Sequence, residues 1–231
     1  MAELLNNFKS FFNRNFFILF FIYILFLTLF LSITSFFLKL SAIEQFDNAV
    51  QDAIFSLREE NLNSIMIFIT YFGDKEIIFP LSFFIILYFF LKKKYEFLIA
   101  LLTSISIISV IVYSIKLFFY KPRPSLADAL ILESGFSFPS GHVAVAIVFY
   151  GILSYFVFIS AKRNFEKISS ILLFVIMVFL ITFSRVYLGV HFLSDVMASM
   201  IFSTVWLGFL IYLLEIKRKQ EVVRDRSIIS V

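Results

Sequence analysis

Six apolar stretches dominate this 231-residue chain, at 16–38, 64–91, 95–119, 138–160, 168–188 and 192–214. Each is close to the roughly 20 apolar residues that a helix needs to cross a bilayer core. Lipid offers no partner for a backbone N–H or C=O, so only helices and closed barrels span it. The stretches lack the alternation of a barrel strand. The expected fold is all-α: a polytopic membrane bundle of about six transmembrane helices, a single domain over residues 1–231 with a cytoplasmic tail at 216–231. Composition agrees, with 61% hydrophobic and 16% charged residues, where a soluble domain has about 25% charged. The 35 Phe residues fill spans as Leu would. The first stretch is longer than a cleaved signal core and reads as a retained anchor.

Short-loop charge sets the orientation. Lys9 and Arg14, then Lys92 to Lys94, then Lys162, Arg163 and Lys167, then Lys217 to Lys219 all fall on one side of a six-span layout. That side is expected to be the cytoplasm, with both termini on it. The segment after the first span carries Glu44, Asp47, Asp52, Glu59 and Glu60 and belongs outside. Its apolar residues Ile43, Phe46, Val50, Ile54 and Leu57 recur every three or four positions, which predicts a short amphipathic helix on the outer surface. Asp74, Lys75 and Glu76 interrupt the second stretch after Gly73. They suit either paired charges at the interface or the rim of a substrate cavity.

Three polar clusters remain: Lys116 to Pro124, Pro139 to His142, and Ser184 to Asp195. The alternation of spans brings all three to the outer face. Lys116, Arg123 and Arg185 are cations on the side where cations are disfavoured, and a guanidinium matches phosphate oxygens. Ser140 and Gly141 stand where a helix starts, and free N–H groups there bind anions. His191 and Asp195 are four residues apart, so on a helix they share a face. The carboxylate can then fix the imidazole tautomer. His142 is placed to donate a proton to a leaving oxygen. The chain has no Cys and two His, both inside these clusters. With no thiolates and few acids there, a metal mechanism is not expected, and neither is a cofactor. Lys121 reads as a solvated loop residue or an extension of the positive rim, and Asp128 and Glu133 as loop residues.

These clusters resemble the type 2 phosphatidic acid phosphatase superfamily, the lipid phosphate phosphatases. Its motifs are K-x6-RP, PSGH and SR-x5-H-x3-D. They read here as Lys116 with Arg123-Pro124, Pro139-Ser140-Gly141-His142, and Ser184-Arg185 with His191 and Asp195. The resemblance implies that His191 is the nucleophile that takes the phosphoryl group, and that Asp195 orients it. It implies that His142 protonates the leaving lipid oxygen and then activates water. Lys116, Arg123, Ser140, Gly141 and Arg185 would hold the phosphate oxygens, without a metal. Vanadate-dependent haloperoxidases share the motifs but are soluble. The expected substrate is a membrane lipid phosphate of the undecaprenyl pyrophosphate, phosphatidic acid, phosphatidylglycerol phosphate or lipid A class, met in the bilayer of the cell membrane at its extracytoplasmic face. No nucleic acid is expected as a partner. A phosphotransferase with the same site, or a non-catalytic lipid-binding or transport protein, is the alternative.

Overall fold

The computed structural model describes residues 14–229, with side chains to residue 219, so Lys9 lies outside the described residues. Within them the chain is helical, and no strand occurs. The helices are α1 (Arg14–Phe37), α2 (Ser41–Phe55), α3 (Glu60–Tyr71), α4 (Lys75–Leu91), α5 (Tyr95–Phe119), α6 (Gly141–Ser160), α7 (Asn164–Tyr187) and α8 (Leu193–Ile229). Among the described residues, five helices are long and apolar enough to cross a membrane: α1, α5, α6, α7 and α8.

The second expected span differs from the sequence reading. It is not one helix but two, α3 and α4, broken at residues 72–74. The break has a local cause. Asp74 caps α4, its carboxylate accepting the Lys75 N–H at 2.6 Å, and a new helix start requires the old one to end. Gly73 allows the broken turn to pass tightly against the bundle, since a Cβ there would meet Ile181 at 2.9 Å and His142 at 3.3 Å. The 17 residues of α4 are at the lower end of the lengths that cross a bilayer, so the second expected span is the one of the six that the structure does not give as a single long helix. α8 runs on past residue 216 as helix, into the segment expected to form the tail.

Helix α6 is the centre. It packs against α5, α7 and α8, while α1 lies on α8. Val143, Ala144, Ala146, Val148 and Phe149 on its first two turns are fully buried. Tight packing between membrane helices depends on small residues at the crossing. Gly151 is such a residue: a Cβ there would clash with one Leu207 methyl of α8 and lie 3.2 Å from its branch carbon. Trp206 of α8 packs edge-on against Phe20 and at a tilt against Tyr23 and Phe209. The remaining apolar surface, such as Phe83, Phe84 and Phe179, faces outward as lipid requires.

The amphipathic helix is present as α2, and its inward face carries polar residues among the apolar ones. Asp47 and Gln51 are buried on it, on the face that also carries the half-buried Ile43, Val50 and Ile54, while Phe46 stays 55% exposed. A carboxylate turned inward must have partners there, and it does.

Replacing Gly151 by Val should force α6 and α8 apart. A loss of about 1–3 kcal/mol is expected for such overpacking, seen as a lowered unfolding temperature in detergent. An unchanged midpoint would show that the crossing has slack.

Candidate active site

Four elements end at one side of the bundle and aim charged side chains at a common space: the C-terminal ends of α5 and α7 and the N-terminal ends of α6 and α8. The loop at 120–140 closes over them. Its fold is set by the cations beneath it. Lys116 Nζ donates to the carbonyls of Phe136 and Ser137. Arg123 donates from Nε to Gly135 O at 3.1 Å and from Nη2 to Ser134 O at 3.0 Å. Arg58 clamps the far side, donating to Tyr187 O at 2.7 Å and to Asp128 O at 2.7 Å.

The turn between α7 and α8 brings His191 into this space. Gly189 sits there at φ +74°, a conformation that suits glycine. His191 therefore lies in the turn and not on the helix with Asp195, as the four-residue spacing had suggested. The two still face each other, His191 Nδ1 lying 3.6 Å from Asp195 Oδ2. Ser137 Oγ stands between them, donating to Asp195 Oδ2 and lying 3.5 Å from His191 Nδ1. Asp195 Oδ2 also accepts the Phe192 N–H at 3.0 Å, as an acid in the first helical turn does in a capping box. With Nδ1 on the Asp195 side, Nε2 points at Arg123 Nη1, 3.4 Å away. Burial holds the His191 imidazole well below its usual pKa, so it is neutral near pH 7.

Arg185 is fully buried. A buried cation needs compensation, which comes from Thr70 Oγ1 at 2.7 Å and from the Glu133 carboxylate. Glu133 also lies 3.8 Å from Arg123 Nη2 and 3.8 Å from His142 Nε2. Its carboxylate thus sits among the cations of the first and third motifs and the histidine of the second. Burial alone would raise its pKa; Arg185, His142 and Arg123 outweigh burial and hold it below the ordinary carboxylate range. Asp74 Oδ2 approaches His142 Nε2 at 3.5 Å, so the charged break of the second span belongs to the site.

All eight residues expected from the motifs come to this end of the bundle. Ser140 is buried and donates its N–H to Asp195 O at 3.5 Å, and Gly141 opens α6. Three buried polar atoms here lack a hydrogen-bond partner: Ser140 Oγ, His142 Nε2 and Arg185 Nε. Buried polar atoms are rarely left so, and these three belong to residues of the second and third motifs. A cavity of about 300 Å³ opens from Lys116 and His142 between α4, α5 and α6. Its further walls are apolar, including Ile78, Phe79, Ile105, Val112 and Val145. Among the described residues, no group of three or more His, Asp or Glu is placed to hold a metal ion.

Comparison with known proteins agrees with this geometry. Residues 97–219 match the sequence model of the PAP2 superfamily, and that segment contains all three motifs. The chain belongs to the PAP2 superfamily. It is a multi-pass membrane enzyme, a lipid phosphatase. Over 190 residues it is 34% identical to phosphatidylglycerophosphatase B of Bacillus subtilis, covering 81% of this chain and 90% of that one. Its fold matches the crystal structure of a transmembrane PAP2-type phosphatidylglycerolphosphate phosphatase from Bacillus subtilis with a TM-score of 0.72. That match has 26% identity and covers 90% of this chain and 98% of the other. LpxE of Aquifex aeolicus is also similar, at TM-score 0.57 and 27% identity over 72% of this chain and 93% of its own.

Several polar residues around the PAP2 motifs escaped the sequence reading. Glu133 reads from sequence as a loop residue and Lys121 as a solvated loop residue or an extension of the positive rim; both are paired inside the site. Thr70 and Asp47 lie outside the matched segment altogether, as does Asp74, which the sequence offered as a possible rim of the cavity. The signal available for Lys121 was its charge on a face that disfavours cations. For Asp47 no local signal existed.

Because Glu133 occupies the space among the cations, it should compete with any anion that enters. Glu133→Gln keeps an acceptor for Arg185 but removes the charge. Inorganic phosphate should then raise the unfolding temperature more in this variant than in the wild type at equal concentration. Equal shifts would mean that the carboxylate does not compete.

Proposed function

We propose that the chain hydrolyses the phosphomonoester of a glycerophospholipid, with phosphatidylglycerol phosphate as its preferred substrate, through a phosphohistidine on His191 and without a metal. The observation that supports this most is the set of unpartnered buried atoms, Ser140 Oγ, His142 Nε2 and Arg185 Nε, grouped beside a neutral imidazole. The apolar cavity that leads to Lys116 and His142 suits a substrate whose tail stays in lipid. The choice of headgroup follows the similarity, in sequence and in fold, to the phosphatidylglycerophosphate phosphatase of Bacillus subtilis.

In this reading Lys116, Arg123, Arg185, Ser140 and the N–H groups at Gly141 hold the phosphate oxygens. His191 Nε2 attacks phosphorus as the bond to the lipid oxygen breaks, and His142 gives that oxygen its proton. His142 then takes a proton from water as the water oxygen attacks phosphorus. The P–N bond breaks, phosphate leaves, and His191 returns to its neutral form. Asp195 stabilises the positive imidazole of the intermediate, and the cations stabilise charge that develops on the transferring group. The cations also neutralise the phosphate, which is the task a metal would otherwise have.

The orientation belongs to the same proposal. Lys92, Lys93, Lys94, Lys162, Arg163 and Lys167 lie in the connections at the end of the bundle away from the site. The positive-inside bias puts that end and both termini in the cytoplasm and the site at the extracytoplasmic face of the cell membrane.

The test is phosphate release in detergent micelles containing EDTA. The panel holds phosphatidylglycerol phosphate, phosphatidic acid, undecaprenyl pyrophosphate and a lipid A phosphate. Release should be fastest from phosphatidylglycerol phosphate and absent in His191→Ala. Activity that needs an added divalent ion, or that survives in His191→Ala, contradicts the mechanism. Release confined to another lipid contradicts the substrate.

A further inference from the structure

On the side of Asp195 away from His191 lies a second polar group, made by Asp47 of α2, Lys121 of the loop and Ser194 of α8. Lys121 Nζ lies 2.8 Å from Asp195 Oδ1, 2.8 Å from Ser194 Oγ and 3.3 Å from Asp47 Oδ2. An ammonium has three donors, and all three are engaged. Lys121 is thus neither a solvated loop residue nor a free cation on the rim. Asp47 is 3% exposed. It accepts the Ser194 N–H at 2.9 Å and the Ser194 hydroxyl at 2.6 Å.

This arrangement solves a problem at the start of α8. Phe192 precedes the helix and has no side-chain acceptor for the free N–H groups of the first turn. Asp47 supplies one from another helix, and its charge suits the helix N-terminus. The outcome is that α2, the loop and α8 are tied together at the residue before Asp195.

We propose that Lys121, held in place by Asp47, is a positioning residue for phosphoryl transfer, gripping Asp195 by one oxygen so that the other faces His191. The inference rests on His191 being the nucleophile. Asp195 Oδ2 is fixed by Phe192 N–H and by Ser137 Oγ. Lys121 fixes Oδ1, which completes a grip at three points and stops rotation of the carboxylate. Electrostatics adds to the grip. The ammonium lies between two buried carboxylates, and without it Asp47 and Asp195 would face each other as like charges. Two consequences follow. Lys121 acts through Asp195 on the imidazole and makes no contact with the groups proposed to hold phosphate, so its loss should lower kcat and leave KM. Removing the Asp47 charge as well should relieve the repulsion and restore part of that loss.

The experiment measures kcat and KM for phosphatidylglycerol phosphate in micelles, with unfolding temperatures, for the wild type, Lys121→Met, Lys121→Arg, Asp47→Asn, the Asp47→Asn/Lys121→Met double variant and His191→Ala. Lys121→Met should lose on the order of 10–100-fold in kcat, as misplacement of a catalytic group does, with little change in KM. Lys121→Arg should recover most of it. The double variant should be faster than Lys121→Met alone. A kcat near wild type in Lys121→Met, a rise in KM that accounts for the loss, or a double variant no faster than the single one overturns the inference. If Lys121→Met does not fold, Asp47→Asn decides: kcat should fall several-fold at constant KM, and an unchanged kcat overturns the inference. Turnover that survives in His191→Ala overturns the nucleophile reading itself. Turnover lost there but unaffected in Lys121→Met overturns this inference alone.

Discussion

The structure is organised around a carboxylate that has no access to solvent. Asp195 is fully buried, and a buried charge persists only where hydrogen bonds and opposite charge replace its water. Its partners come from different parts of the chain: the Phe192 N–H from its own helix start, Ser137 and Lys121 from the loop, and His191 from the turn. Its main-chain oxygen accepts from Ser140, at the start of α6. Meeting these needs at once fixes the loop over the bundle and registers α8 against α6. Asp47 extends the same knot to α2. The polar Asp47 on the inward face of that helix, beside Val50 and Ile54 of its apolar stripe, answers this demand.

The second constraint is an excess of cations. Arg185, Arg123 and Lys116 cannot stand together in an apolar surrounding without anions. Glu133 supplies one, and loop carbonyls supply dipoles to Lys116 and Arg123. The arrangement is held together but not saturated, since Arg185 Nε, Ser140 Oγ and His142 Nε2 have no hydrogen-bond partner. Such a site favours a tetrahedral anion over none. The cavity between α4, α5 and α6 joins that polar pocket to apolar walls, so head and tail of a lipid phosphate meet matching surroundings.

Most of this was legible in the sequence wherever the information is local. The spans follow from runs of apolar residues, and the motif residues follow from polar groups that the membrane face does not otherwise explain. The break at Gly73-Asp74 was visible as an interruption, but whether its charges face lipid or protein depends on α6, which the interruption does not encode. Asp47, Lys121 and Glu133 were not legible as site residues. Each acts through long-range contacts: Asp47 with Ser194 and Lys121, Lys121 with Asp195 and Ser194, Glu133 with Arg185, Arg123 and His142. Such contacts leave no periodicity or spacing to read. The helical spacing of His191 and Asp195 was right about proximity and wrong about the cause, because the turn at Gly189 and the cap at Phe192 bring them together.

The central claim is that the phosphoryl group passes to His191. Its most direct test is to mix the protein with lipid carrying a labelled phosphate, quench within the first turnover in alkali, and map the label by mass spectrometry. Phosphohistidine survives alkali and is lost in acid. The account predicts label on the peptide that contains His191, absent in His191→Ala and removed by acid. Label on another residue, or turnover with no labelled peptide at any quench time, would contradict it.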